Sequence, residues 1–64
     1  MKVTRNIKYN ESLELIHIEY HDAETGEHVI DAVWDDRDEQ TKEKQEAFIE
    51  WADRHMADRG DEVL

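Results

Sequence analysis

The sequence predicts a single α+β domain, in which a three-stranded antiparallel β-meander is followed by one long C-terminal α-helix packed on one face. Two observations carry this prediction. Polar and apolar residues alternate with the period of β-strands in the first half of the chain, and apolar residues recur with a helical period over residues 38–59. With 64 residues and no proline, residues 1–64 fit one domain, and residues 61–64 are predicted to be a short tail.

The three strands are predicted from alternation and from the turn residues between them. The first strand is expected over residues 2–9, and a tight turn at Asn10-Glu11 connects it to a second strand over residues 13–20. A hairpin loop follows, in which Gly26 supplies the positive φ that closes such loops. The third strand is then expected over residues 28–34.

The hairpin register decides which residues share a face of the sheet. We expect Asp22 opposite Glu27 and Tyr20 opposite Val29, since directly opposed residues lie on one face. The predicted core face contains Val3, Ile7, Tyr9, Ile16, Ile18, Tyr20, Val29 and Val33. The other face carries an apolar patch that one helix cannot also cover, so we expect it to form a homodimer interface. That interface is predicted to consist of Leu13, Leu15, Ile30, Ala32 and Trp34. The alternative is a monomer in which the tail residues Val63 and Leu64 cover the patch.

The helix is predicted to pack its apolar side across the core face. Its inward residues are expected to be Phe48, Trp51, Ala52 and His55. Candidates for the N-cap are Asp35, Asp36 and Asp38, whose charges suit the positive end of the helix dipole. Gly60 suits a C-terminal cap, because glycine readily adopts the left-handed conformation there.

The charge is strongly acidic and unevenly distributed. The chain has 18 Asp and Glu against 8 Lys and Arg, a formal net charge of −10, together with 38% hydrophobic residues, which is enough for a folded core. Three of the 8 basic residues precede Glu11, so residues 11–64 carry 5 basic residues against 18 acidic ones, a formal −13. Such a domain repels nucleic acid and anionic membranes and attracts basic partners. We therefore expect a protein that binds neither directly, and the short apolar runs and the absence of cysteine favour a cytoplasmic location.

The sequence contains no recognisable catalytic motif. Ser12 is the only serine and lies at a predicted turn, there is no cysteine, and no glycine-rich phosphate loop is present. The acidic run at residues 35–39 lacks the glycine and spaced glutamate of a calcium loop, and helix capping accounts for it. We predict no enzyme activity and no cofactor.

The histidines do not form a sequence signature for a metal. His17 and His21 on one strand lie about 13 Å apart, too far to share an ion. His21 and His28 are expected to be cross-strand neighbours with Glu19 close by, so a weak pH-sensitive or metal-binding patch is an open alternative. No metal is assigned.

A row of acidic residues on the predicted helix is the most informative pattern. Its members are Glu39, Glu43, Glu46, Glu50 and Asp53, at spacings of 4, 3, 4 and 3. These spacings place the carboxylates on one side over about 20 Å, whereas each DNA strand has a phosphate about every 3.4 Å. Acids on the hairpin are expected to extend this field, namely Asp22, Glu24 and Glu27. The alternative is an ordinary solvated helix face, paired with Lys42 and Arg54.

In size, acidity and sheet-plus-helix layout the chain resembles the small phage-encoded DNA mimics that inhibit HU nucleoid proteins or CRISPR effectors. The resemblance implies a dimeric inhibitor, acting in the host cytoplasm, whose carboxylates occupy the DNA-binding groove of a nucleoid-associated or similar basic protein. The basic residues of the first strand, Lys2, Arg5 and Lys8, depart from that pattern. The alternatives are an antitoxin-like protein or assembly adaptor that binds through the apolar sheet face, and adaptation to a high-salt cytoplasm.

Overall fold

The computed structural model describes residues 1–64 and confirms the α+β fold class. Its elements are β1 (Lys2–Tyr9), β2 (Leu15–Asp22), β3 (His28–Val33), α1 (Lys42–Asp58) and β4 (Glu62–Val63). β1, β2 and β3 form the predicted antiparallel meander. The predicted tail is instead a short strand, because β4 pairs in parallel with β1. The mixed sheet therefore has the order β3-β2-β1-β4.

The turn between β1 and β2 is longer than the tight turn predicted. It spans residues 10–14, and the Asn10 side chain stabilises it by accepting hydrogen bonds from the backbone N–H of Ser12 at 2.9 Å and Glu14 at 3.0 Å. A two-residue turn at Asn10-Glu11 predicts that Ile7 lies opposite Glu14, whereas with the longer turn Ile7 pairs with Ile18. This register differs from the predicted one by an even number of residues, so the faces of β1 and β2 keep their predicted relation.

The hairpin between β2 and β3 forms as predicted. The N–H of Asp22 donates to the carbonyl of Glu27 at 2.8 Å, and the N–H of Gly26 donates to the carbonyl of Asp22 at 2.8 Å. Gly26 has a φ of 77°, the left-handed conformation expected for it. His21 pairs with His28, as the sequence suggested.

A β-bulge directly after the hairpin makes the predicted face of β3 wrong. Tyr20 pairs with Ile30, not with Val29, so Val29 is an extra residue in β3. One inserted residue moves every following side chain to the opposite face. Val33 is consequently 71% exposed, whereas Trp34 is only 8% exposed.

A second bulge has the same effect at the start of β2. Lys8 pairs with His17, but Tyr9 pairs with Leu15, which leaves Ile16 as the extra residue. Leu15 is therefore buried at 1% exposure, and Ile16 is 45% exposed. The prediction had assigned these two residues to the opposite faces.

The apolar patch predicted as a homodimer interface is not a separate surface. Leu15 and Trp34 belong to the core, and Ile30 and Ala32 pack against it, while Leu13 alone is widely exposed. The two bulges bring these residues to the same side as the helix. The core consists of Val3, Leu15, Ile18, Tyr20, Trp34, Ala52 and Met56. Homodimerisation stays a prediction, now without this face to support it.

The helix begins later than predicted. Thr41, not one of the preceding aspartates, is the N-cap, and its hydroxyl accepts a hydrogen bond from the N–H of Lys44 at 3.1 Å. The reason is the Gln40 side chain, whose amide bonds both the N–H and the carbonyl of Leu15 at 2.7 Å and holds the chain against β2 up to that point. With 17 residues, α1 is neither long nor apolar enough to cross a lipid bilayer.

The C-terminal cap of α1 agrees with the sequence prediction. Gly60 has a φ of 91° and donates to the carbonyl of Ala57 at 2.9 Å, and Asp61 donates to that of Met56 at 3.0 Å. These two bonds are those of a Schellman motif, in which a left-handed residue satisfies the last carbonyls of the helix. The motif turns the chain toward β4, where Val63 packs against the core.

The buried side of α1 is rotated from the predicted one. Ala52 and Met56 are fully buried, whereas Trp51 is 57% exposed and His55 is also exposed. The Phe48 ring contacts both tryptophans. It meets Trp34 edge-on with 5.1 Å between ring centroids, and Trp51 stacks on it with 5.7 Å between centroids. Trp51 therefore extends the aromatic packing outward instead of entering the core.

Replacing the N-cap residue tests the start of the helix. We expect Thr41→Ala to lower the free energy of unfolding by about 1 kcal/mol, because the N–H of Lys44 loses its acceptor. Thr41→Ser keeps the hydroxyl and is the matched control. Urea denaturation followed by circular dichroism measures both variants, and an equal loss in the two would contradict the capping role.

Candidate functional site

Three exposed carboxylates lie along one flank of α1, and we call them the acidic flank. They are Glu43, Glu46 and Glu50, at spacings of 3 and 4 residues that place side chains on one side of a helix. None of them forms an ion pair or a side-chain hydrogen bond within the domain. Lys42 and Arg54, the expected intrahelical partners, also form none. The negative charge of the flank is thus uncompensated.

Asp53 continues the same row in sequence but is engaged inside the domain. Its Oδ1 accepts a hydrogen bond from the Tyr20 hydroxyl at 2.7 Å, and its Oδ2 forms an ion pair with Arg5. Burial, and secondly the hydrogen bond to Asp53, raise the pKa of Tyr20, which therefore stays protonated as the donor. Asp53 ties α1 to the sheet, so we leave it out of the acidic flank.

Glu39 is exposed but lies outside the helix, since α1 begins at Lys42. It belongs to the connection after β3, which also carries Asp35, Asp36 and Asp38. Asp35 is paired with Arg37, whose Nη2 lies 2.9 Å from Asp35 Oδ2, and these hydrogen bonds lower the pKa of the carboxyl group. Of the five predicted residues, three therefore form the acidic flank of α1. Glu39 lies in a separate acidic loop before the helix, and Asp53 is engaged within the domain.

The hairpin acids lie at the opposite end of the domain from that loop. The N–H of Ala23 in the hairpin donates to the carbonyl of Lys2, and the N–H of Glu62, after α1, donates to the carbonyl of Met1. The hairpin and the segment after α1 therefore both lie beside the start of β1. Asp22 is half-buried and accepts a bond from the N–H of Glu24 at 2.8 Å, which stabilises the loop. The side chains of Glu24 and Glu27 are exposed. Acidic residues thus occupy both ends of the domain.

One of the three basic residues of β1 forms an ion pair with an acid of the same domain. Arg5 is paired with Asp53, and Lys2 lies opposite Glu62 in the β1–β4 register. Lys8 acts on Glu19: hydrogen bonds from two histidines are the main cause that lowers the pKa of this carboxyl group, and the charge of Lys8 lowers it further. Neither Lys2 nor Lys8 forms an ion pair, so the first strand keeps two exposed positive charges.

An exposed aromatic groove borders the N-terminal half of α1, and sequence reasoning missed it because it placed Trp51 inside. The groove has a volume of about 420 Å³. Its lining residues are Trp34, Asp35, Asp38, Lys44, Ala47, Phe48 and Trp51. Trp34 occupies the core side of this packing and meets Phe48 edge-on, while Trp51 stacks on Phe48 and stays 57% exposed.

The surface combines unpaired carboxylates on a rigid helix with exposed aromatic rings beside them. Carboxylates held on a helix can accept charge-assisted hydrogen bonds from Arg and Lys side chains of another protein. Aromatic rings next to them can pack against the aliphatic stems of those side chains. This is an arrangement suited to binding a basic surface. The chain has no significant match among protein-family models, curated proteins or solved structures.

Proposed function

We propose that this protein is a non-enzymatic acidic inhibitor that mimics the charge of DNA and occupies the DNA-binding surface of a basic protein. The observation that carries the proposal is the acidic flank without internal partners. Like charges at these helical spacings repel one another by a few tenths of a kcal/mol per pair. The Arg and Lys side chains of a partner would relieve that repulsion.

The dimensions of the domain fit a groove that normally holds DNA. Its longest extent is 33 Å, close to the roughly 34 Å of one turn of duplex DNA. Along α1 the three carboxylates of the acidic flank are separated by axial rises of about 4.5 and 6 Å. This spacing is wider than that of phosphates on one strand, so the match is one of overall charge and length, as in a steered electrostatic complex.

The positive charge of β1 is small beside the acidic excess of the domain. Arg5 is paired with Asp53, whereas Lys2 and Lys8 are exposed and form no ion pair, so the exposed acids must outweigh two positive charges on the strand. The formal net charge of the domain is −10, and its exposed acidic residues lie mainly on the helix flank and on the loops at both ends. Such a field favours approach to a basic groove.

Competition with DNA at two salt concentrations tests the proposal. A labelled duplex bound to an HU-type nucleoid protein, and in parallel to a CRISPR effector, is titrated with this protein. We expect displacement at about 50 mM salt and an affinity at least roughly tenfold weaker at about 300 mM, because salt screens opposed surface charges. Absence of displacement at low salt from every basic protein tried would overturn the proposal.

The aromatic groove supports a second candidate, an antitoxin-like protein or assembly adaptor that binds an apolar segment. The sheet face first expected for this role is in the core, but the Trp51 ring is 57% exposed beside Phe48. Binding of that kind would persist at high salt, since apolar contacts are not screened. It would be lost in Trp51→Ala, which leaves every carboxylate in place.

A further inference from the structure

The face of the sheet that points away from α1 carries two carboxylates directly opposed across a strand pair. Glu19 on β2 lies opposite Asp31 on β3. Like charges directly opposite each other in a sheet are destabilising, unless a group between or beside them compensates. His17 is two residues before Glu19 on the same strand and therefore on the same face. One ligand atom from each of these three side chains lies within 4.8 Å of the other two.

One further histidine holds each carboxylate in place. His21 Nε2 lies 3.1 Å from Glu19 Oε1, while the other oxygen, Glu19 Oε2, lies 2.9 Å from Nε2 of the ligand His17. Across the strand pair, His28 Nε2 lies 2.7 Å from Asp31 Oδ1. In metal sites the ligating carboxylates are hydrogen-bonded in this way by a surrounding layer of side chains that orient them. Each carboxylate here has such a neighbour and retains accepting capacity for an ion.

The bulge at Val29 creates this cluster. On the register predicted from the sequence, Asp31 would lie opposite Ile18, on the face away from His17 and Glu19. The extra residue moves Asp31 to their side and directly opposite Glu19. His17 and His21 are too far apart on one strand to share an ion, whereas His17, Glu19 and Asp31 come together across two strands.

We propose that His17, Glu19 and Asp31 form a binding site for one divalent transition-metal ion, best matched by Zn²⁺, which His21 and His28 support by orienting the two carboxylates. One imidazole nitrogen with two carboxylate oxygens is a donor set that Zn²⁺ accepts, with a water in the fourth position. The imidazole favours zinc, copper or nickel over magnesium or calcium, which prefer oxygen ligands alone. The bound ion neutralises the opposed pair of carboxylates.

The geometry requires only small side-chain movements. Zinc–ligand distances near 2.1 Å in a tetrahedron place neighbouring ligand atoms about 3.4 Å apart. The present atoms lie within 4.8 Å of one another, so the widest separation must close by at most about 1.4 Å. His17 and Glu19 are partly exposed, with side-chain exposures of 30% and 23%, and Asp31 is exposed at 40%, which leaves room for that adjustment.

Titration of the metal-free full chain with Zn²⁺ near neutral pH, by calorimetry, tests the site. We expect one ion per chain, and we expect His17→Gln and Asp31→Asn each to weaken binding at least about tenfold, the effect seen even for supporting residues of metal sites. His55→Gln is the matched control, because His55 is an exposed histidine on α1 that stacks on Trp51 outside the cluster. Its affinity should equal that of the unmodified chain.

Nuclear magnetic resonance of the unmodified chain provides a measurement that does not depend on how the variants fold. Added Zn²⁺ should shift the ring signals of His17 and leave those of His55 unchanged. Zinc affinity unaffected by His17→Gln in a folded variant would overturn the proposal. Binding lost only in His21→Gln and His28→Gln would also overturn it, because the ion would then lie between those two rings, whose centroids are 5.6 Å apart.

Discussion

Reversal of two charges on the acidic flank, Glu46→Lys together with Glu50→Lys, is expected to weaken DNA displacement at least about 100-fold. Both side chains are exposed and unpaired, so their replacement removes no contact of the fold. Each reversal exchanges an attraction to a basic groove for a repulsion, and like charges brought together at an interface cost several kcal/mol. Each factor of ten in affinity corresponds to about 1.4 kcal/mol, so a cost of several kcal/mol weakens binding at least about 100-fold.

The matched control reverses two other exposed acids, Glu11→Lys with Asp58→Lys. Each substitution adds 2 charges, so both double variants have a formal net charge of −6 instead of −10. The control places one change in the β1–β2 turn and one in the last turn of α1, away from the flank. We expect it to retain displacement within a few-fold. Equal losses in the two variants would indicate a response to net charge alone, and unchanged binding in both would remove the flank from the proposal.

Replacement of Trp34 by glutamate is expected to unfold the domain. Trp34 is 8% exposed, packs against Phe48, and donates its indole N–H to the carbonyl of Asp38. Loss of a buried tryptophan costs about 3–5 kcal/mol, and a carboxylate in its place adds the cost of a buried polar group without a partner. A domain of this size has a total stability of roughly 3–10 kcal/mol. Far-ultraviolet circular dichroism should show loss of secondary structure.

Leu13→Glu is the control for that experiment, because the sequence analysis assigned Leu13 and Trp34 to one dimer interface. Leu13 is 76% exposed in the β1–β2 turn, so the variant should keep the fold. A folded Trp34→Glu variant that sediments at half the mass of a dimeric parent would contradict the core position and restore the original face. Sedimentation of the unmodified chain at micromolar concentration tests homodimerisation itself.

The acidic flank was predictable from the sequence, but its limits were not. Glu43, Glu46 and Glu50 share a flank because helical spacing alone places them there. Asp53 has the same spacing, yet it is withdrawn from the surface by Arg5 on β1, a contact 48 residues away in sequence. Glu39 was included because nothing local shows that Gln40 bonds to β2 and delays the helix. Spacing predicts direction on a helix, whereas tertiary contacts decide which charges stay free.

By itself, the sequence determined the features that depend on neighbouring residues. The strand and helix periods, the hairpin at Gly26 and the cap at Gly60 follow from backbone preferences within a few residues. Only the tertiary structure decided which side chains of the sheet face the helix. Apolar residues occur at both odd and even positions of β3, so either register would bury some of them. Packing under α1 selects the bulges at Ile16 and Val29, which bury Leu15 and Trp34. The same selection turns Asp31 toward Glu19, since one inserted residue inverts every side chain that follows it.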